Sequence, residues 1–158
     1  IKEEFDWILI DSPAGIERGF KNAIAPADSV IVVTNPDVSA VRDADRIIGI
    51  IEAEEKGPAR LIINRLNPDL VRRGDMLDAE DVLDLLAIKL IGIVPEDENV
   101  IMSTNVGKPV ATSEKSLAGQ AFRNIARRLM GDEIPLLDLN LKEGIFQKLS
   151  KLFTAGGE

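Results

Sequence analysis

Hydrophobic positions along the chain fall into four short runs: Trp7-Ile8-Leu9-Ile10, Val30-Ile31-Val32-Val33, Leu61-Ile62-Ile63 behind Arg60, and Leu90-Ile91-Gly92-Ile93-Val94. They are rich in β-branched residues and do not alternate with polar ones, the pattern of strands buried on both faces. Between the second and third runs, residues 38–55 carry Val41, Ile47, Ile48 and Ile51 at helical spacing, and Gly57-Pro58 stops them. After the third run, Asp78 is placed to cap a helix that reaches about Ala87. Beyond the fourth, residues 98–102 predict a short turn of helix. Residues 116–130 predict a longer one, with Leu117, Ala121, Ile125 and Leu129 along one face and Gly131 as its stop. Strands alternating with helices mean a parallel, Rossmann-type sheet flanked by helices, hence an α/β fold. Residues 132–140, containing Pro135, read as a linker, and no internal repeat or low-complexity segment interrupts the scheme.

The pattern changes once more near the end. Wound at about 100° per residue, residues 141–153 bring Leu141, Ile145, Phe146, Leu149, Leu152 and Phe153 into an arc of roughly 140°. Gln147, Lys148, Ser150 and Lys151 occupy the other side. Three lysines against Glu143 give this stretch a charge of +2, so the rest of a chain of net charge −8 carries −10. Such an amphipathic segment has two uses. It packs its stripe on its own domain or a partner, or it lies in a membrane interface with its lysines near anionic headgroups.

Composition narrows the chemistry. At 158 residues, the chain has room for one domain plus an appendage. No apolar run approaches the ~18–20 residues that span a bilayer. The charged opening Ile1-Lys2-Glu3-Glu4-Phe5-Asp6 is not a secretory signal, so a cytosolic setting is expected. Without cysteine or histidine there are no disulfides, thiolate nucleophiles, iron–sulfur ligands, ordinary zinc sites or Ser-His catalysis. The acidic body argues against nucleic acid as a partner, since that binding rests on neutralising phosphates. Carboxylates, lysine, arginine, amides, hydroxyls and a hard metal remain. The first residue is Ile1, a few positions before a strand-like run, which makes a longer parent chain the expectation.

In open parallel sheets, chemistry gathers beyond the carboxyl ends of the strands. Those ends read Asp11-Ser12-Pro13-Ala14-Gly15, Thr34-Asn35-Pro36, Asn64-Arg65 and Pro95-Glu96-Asp97, each polar or turn-forming after an apolar run. Asp11 directly follows four apolar residues, and a carboxylate there needs a donor or a metal. It either caps the next loop or helps hold Mg²⁺, as the Walker B aspartate of P-loop NTPases does, commonly through a water. Asn64 offers a donor and an acceptor at a strand end. That complements an adenine edge, and equally satisfies a loop backbone. Pro95-Glu96-Asp97 is either an ordinary turn or a loop lending backbone groups to a base.

Taken in order, FDWILIDSPAGIE, TNPDVSAVRDADRIIGII, NRLNPDLVRRGDMLDAEDV, IKLIGIVPEDENVIMSTNVGKPV and the lysine-studded tail resemble the C-terminal part of ParA/MinD family proteins, the deviant-Walker-A P-loop ATPases. The resemblance covers nearly the whole chain. DSPAGIE and SAVRDADRIIGI are specific to its MinD-like members, membrane-associated ATPases that place the bacterial division site. It implies ATP and Mg²⁺ as ligands, with Asp11 as the Walker B residue near Mg²⁺. Asn64 would contact adenine, with Arg65 and the Pro95, Glu96, Asp97 loop walling the base. Arg42, Asp43, Asp45 and Arg46 would form the surface for MinC-type and MinE-type partners, whose default reading is otherwise a solvated helix face. The implied organisation is an ATPase part over residues 1–131, a linker over 132–140 and a membrane-targeting helix over 141–153. That helix would bind through Ile145, Phe146, Lys148, Leu149, Lys151, Leu152 and Phe153. The implied setting is an ATP-bound homodimer cycling between cytoplasm and the inner face of the cell membrane.

One departure is large. The family's glycine-rich lysine loop, its second lysine and its switch aspartate have no counterpart here. Gly107-Lys108 is followed by Pro109, and Met102 stands where a P-loop needs glycine. The phosphate cradle and several strands are therefore expected upstream of Ile1, and this chain alone is expected not to hydrolyse ATP. A flagellar-number MinD-like ATPase and a non-enzymatic fragment that binds membranes or partners are the alternative readings. Chromosome-partition ParA proteins fit less well because they lack such a tail.

Overall fold

In the computed structural model, which describes residues 2–13, 15 and 18–139, three of the four apolar runs are strands. They are β1 (Val30–Thr34), β2 (Ala59–Leu66) and β3 (Lys89–Pro95), paired in parallel in the order β1-β2-β3. Val32 lies opposite Leu61, and Ile63 lies opposite both Thr34 and Ile93. This register brings the carboxyl ends of all three strands to one edge.

The helices are α1 (Arg18–Ile24), α2 (Val38–Ala53), α3 (Pro68–Arg73), α4 (Ala79–Leu86), α5 (Glu98–Asn105) and α6 (Leu117–Leu129), with a 3₁₀ turn at Val110–Thr112. Caps explain where several of them start. Asp37 accepts from the Ala40 amide at α2, and Asp78 with Asp81 closes a capping box at α4. The helices α2, α4 and α6 occupy the stretches that the pattern predicts, and α5 runs three residues further than expected, to Asn105. Helices α1 and α3 were not legible, being short and carrying too few apolar residues to show a period.

Alternation along β2 divides the core into two layers. Leu61 and Ile63 pack with Val32, Ile93, the Val41, Ala44, Ile48 and Ile51 stripe of α2, and Val82 and Leu86 of α4. Ile62 instead packs with Ile91, Val94 and the Ala118, Ala121 and Ile125 face of α6. Each fully buried aliphatic side chain contributes about 1.5–3 kcal/mol, so Leu61, Ile63 and Leu66 at 0% exposure anchor the layer under α2 and α4, while Ile62 is the β2 residue of the α6 layer. Helix α6 lies close to the sheet because Gly92 has no side chain. A Cβ there would collide with Ile125.

Two expectations need correction. Trp7-Ile8-Leu9-Ile10 is not a strand: it has no regular structure, and exposure runs from 42% at Ile8 to 82% at Leu9. A strand exists through its ladder, and no described strand pairs with this run. On α6, Leu117 is 55% exposed and Ala118 is buried instead. Ser116 is the N-cap, its hydroxyl accepting from the Gly119 amide, and beyond this first turn the predicted face holds, with Ala121 and Ile125 buried and Leu129 packed against them. Residues 132–139, read as a linker, carry no helix or strand and are held against the body as far as Leu139. Arg128 donates from Nε to the Ile134 carbonyl (2.8 Å), from Nη1 to Ile91 (2.9 Å) and from Nη2 to Pro135 (2.5 Å). Leu137 then packs on the α6 layer and Leu139 on the α2 layer. The amphipathic segment 141–153 lies outside the described residues.

Candidate functional site

The common edge of the strands concentrates polar side chains. From Ile63 to Leu66, β2 advances three residues while β3 advances two, from Ile93 to Pro95, a bulge that adds one residue to β2. Asn64 and Arg65 occupy it, and Arg65 takes a left-handed backbone with φ of 56°. Asn64 is half-buried, and its side-chain amide makes no hydrogen bond among the described residues. Beside it on β1, buried Thr34 donates to the Asn35 carbonyl at 3.2 Å.

Glu96 ties the ends of β2 and β3 together. Its backbone amide donates to the Leu66 carbonyl (2.9 Å). Its carboxylate accepts from Asn67 Nδ2 (2.9 Å) and from Arg65 Nη2 (3.2 Å). Those bonds, Asn67's first and then Arg65's, hold the Glu96 carboxyl below the usual glutamate range. Asn67 works from both ends, since its Oδ1 caps α3 by accepting from the Asp69 (2.9 Å) and Leu70 (3.3 Å) amides. Between these groups lies a cavity of about 240 Å³ lined by Asn35, Pro36, Asp37, Arg65, Leu70, Met76 and Glu96. Pro36, Leu70 and Met76 supply apolar walls, and Asn35, Arg65 and Glu96 supply polar ones. With Arg65 already matched by Glu96, the arrangement suits the face and edge of a heterocycle better than a phosphate.

Asp97 is engaged elsewhere. Its carboxylate accepts from the Asn99 amide (2.8 Å) and Nδ2 (2.6 Å), from Ser116 Oγ (2.7 Å) and from the Ala118 amide (3.2 Å). It thereby sits at the N-termini of α5 and α6 together, where a negative charge is favoured. Burial by itself would raise its pKa, but those hydrogen bonds outweigh it and hold the carboxyl at about 2. Pro95, buried at the end of β3, supports the turn.

Asp11 is exposed within an irregular segment, and no hydrogen bond or ion pair among the described residues links it to the strand ends. Among the described residues no group of three carboxylate, histidine or cysteine side chains is placed to hold a metal. Mg²⁺ does not require one, because it takes one or two carboxylates together with substrate phosphates and water. Arg42, Asp43, Asp45 and Arg46 are all exposed on α2, opposite its buried stripe, and none forms an ion pair among the described residues. Ile145, Phe146, Lys148, Leu149, Lys151, Leu152 and Phe153 lie outside the described residues.

The structure adds Asn35, Asn67 and Met76 to the edge. Asn67 had a readable signal, because Asn-Pro is an N-cap followed by proline at the first helical position. Asn35 was visible only as part of a strand end, and Met76 comes from the α3–α4 connection, which no local pattern places beside β1.

The family described as cellulose biosynthesis protein BcsQ matches residues 1–130. The septum site-determining protein MinD of Synechocystis sp. is 58% identical over 139 residues, covering 87% of this chain and 52% of that protein. The structure of the MinC:MinD cell division protein complex of Aquifex aeolicus matches with a TM-score of 0.83 and 47% identity, over 87% of this chain and 57% of that one. The septum site-determining protein MinD of Pyrococcus horikoshii, complexed with Mg-ADP, matches with a TM-score of 0.72 and 28% identity, over 82% and 52%. The chain thus spans about half the length of the curated relatives it matches.

Proposed function

The chain belongs to the ParA/MinD family, and from that premise we propose that it serves as the C-terminal part of a MinD-type ATPase acting in division-site placement. The observation that carries this is the base-sized cavity at the common edge of the strands, walled by Arg65, Glu96 and Asn35. Arg65 and Glu96 wall the base, Pro95 supports the turn, and Asn64, next to Arg65 on β2 but not itself lining the cavity, reads the edge of adenine. Asp97 holds that turn from behind by fixing the starts of α5 and α6. Asp11 is the carboxylate toward Mg²⁺. When bound, the ion neutralises charge on the phosphates.

The exposed Arg42, Asp43, Asp45 and Arg46 on α2 form the docking surface for a MinC-type partner and for a MinE-type one. The MinC:MinD complex of Aquifex aeolicus supports the first of these. ATP-dependent homodimerisation and membrane attachment through residues 141–153 complete the reading, which sets the protein in the cytoplasm and at the inner face of the membrane. The BcsQ description names a different process, but 58% identity over 87% of the chain to a septum site-determining protein favours division.

Titrating Mg-ADP into the chain tests the site. Amide resonances of Asn35, Arg65 and Glu96 should shift together, and shifts confined to other parts of the chain would refute the assignment. The Asp43→Lys, Arg46→Glu pair should abolish binding of a MinC-type partner while leaving those shifts unchanged.

A further inference from the structure

Arg65 and Glu96 are a surface pair, with side chains 66% and 43% exposed. Such pairs hold two flexible side chains weakly, and their geometry is easily lost to solvent. A guanidinium serves as a flat wall for a base only if its plane is held still. The second oxygen of Glu96 is the part that is anchored, and Asn67 anchors it. Asn67 cannot swing away, because its carbonyl oxygen is fixed by the first amides of α3, at 2.9 Å and 3.3 Å. With Oδ1 so committed, Nδ2 points at Glu96 Oε2, 2.9 Å away. The chain of contacts therefore runs from the α3 backbone through Asn67 and Glu96 to the Arg65 guanidinium at the cavity wall.

We propose that Asn67 is a positioning residue for base binding: it orients Arg65 through Glu96, using the cap of α3 as its fixed point. This rests on the nucleotide reading given above, and it adds a residue that touches no ligand. It also explains why Asn is used at a position where Asp or Ser would cap α3 equally well. Asp has no donor to offer a carboxylate, Ser must use one short-reaching oxygen for both bonds, and the amide alone puts its acceptor and its donor on two separate atoms.

That difference supplies the test. Asn67→Asp keeps the capping oxygen but removes the donor and sets a like charge against Glu96. Asn67→Asp with Glu96→Gln restores the bond with its direction reversed. The introduced glutamine amide then donates to the carboxylate at position 67, while its oxygen still accepts from Arg65. Adenosine is titrated into the full chain and followed by amide chemical shifts at Asn35, Arg65 and Met76. The single change should weaken adenosine binding about ten-fold, as expected for losing one charge-assisted hydrogen bond. The double change should return it to within about two-fold, with the α3 amide shifts retained in both because the cap survives. Unchanged affinity in the single variant, or no recovery in the double one, would overturn the role of Asn67. If the unaltered chain shows no adenosine-dependent shifts at these positions, the nucleotide reading itself falls, and this one with it.

Discussion

Asp97 shows how a residue's surroundings set its role. Its sequence position, next to Glu96 after an apolar strand, made it a candidate wall for the base. Its contacts make it the joint between α5 and α6, accepting from two backbone amides, an amide side chain and a hydroxyl. Replacing it with alanine removes one N-cap and leaves Ser116 Oγ and the Ala118 amide without their acceptor. The expected cost is about 2–3 kcal/mol, read from urea unfolding. The same carboxyl makes stability depend on pH. Its folded pKa is depressed from the ordinary 3.8 to about 2. The stabilisation is therefore complete above pH 3.8 and is lost as pH falls toward 2. Unfolding midpoints measured from about neutral pH down to about pH 2 should show this loss, and Asp97→Asn should remove its share of the slope. Glu96, also depressed, acts in the same direction.

Among the elements, α6 depends most on a single atom that is absent. Gly92 in β3 leaves the space that Ile125 fills, and a Cβ there would collide with the Ile125 side chain. Gly92→Ala should destabilise by about 1–3 kcal/mol through overpacking. Ile125→Ala should do so by about 2–5 kcal/mol through the cavity it leaves. Made together, the two changes share one space, so their combined cost should fall short of the sum. A double-mutant cycle by thermal or urea unfolding measures the difference, and strict additivity would show that α6 does not rest on this contact. The apolar run at residues 7–10 teaches the converse. Its composition is as strand-like as that of β1, yet strand formation also needs a neighbour to pair with.

For the whole molecule, two expectations follow from what the chain holds and how its charge is divided. Positioning and neutralising the transferred phosphoryl group is nearly all of ATP hydrolysis in this class, and the glycine-rich lysine loop that performs it is absent from this sequence. Purified chain should therefore release no phosphate above a protein-free control, and Asp11-dependent release would refute that. The second expectation concerns residues 141–153, whose +2 charge stands against −10 on the remainder. A peptide of these residues should be unstructured in buffer and helical on anionic vesicles, weakened by salt. Phe146→Asp should abolish binding, and Lys148→Glu should weaken it mainly on anionic lipid, where each lysine contributes about 1 kcal/mol. Two tails fused together should sediment with vesicles far better than one, because the second attachment is intramolecular. Equal sedimentation would rule out a dimer acting through avidity.

The sequence alone determined the α/β class, three of the four strands it predicted, the main helices, and the placing of Asn64, Arg65, Pro95 and Glu96 at strand ends. Each of these rests on a local signal: a run of β-branched residues, a 3.6-residue period, a cap, or a polar residue where an apolar run stops. Tertiary structure decided which strand ends became neighbours, and therefore that Arg65 meets Glu96 thirty-one positions away. It also turned Asp97 toward α6, brought Met76 to the cavity, left residues 7–10 unpaired and fastened residues 134 and 135 to Arg128. The physical reason is common to all of these. Periodicity, caps and propensity act within a few residues, whereas hydrogen-bond partners and burial are fixed only when distant segments pack together.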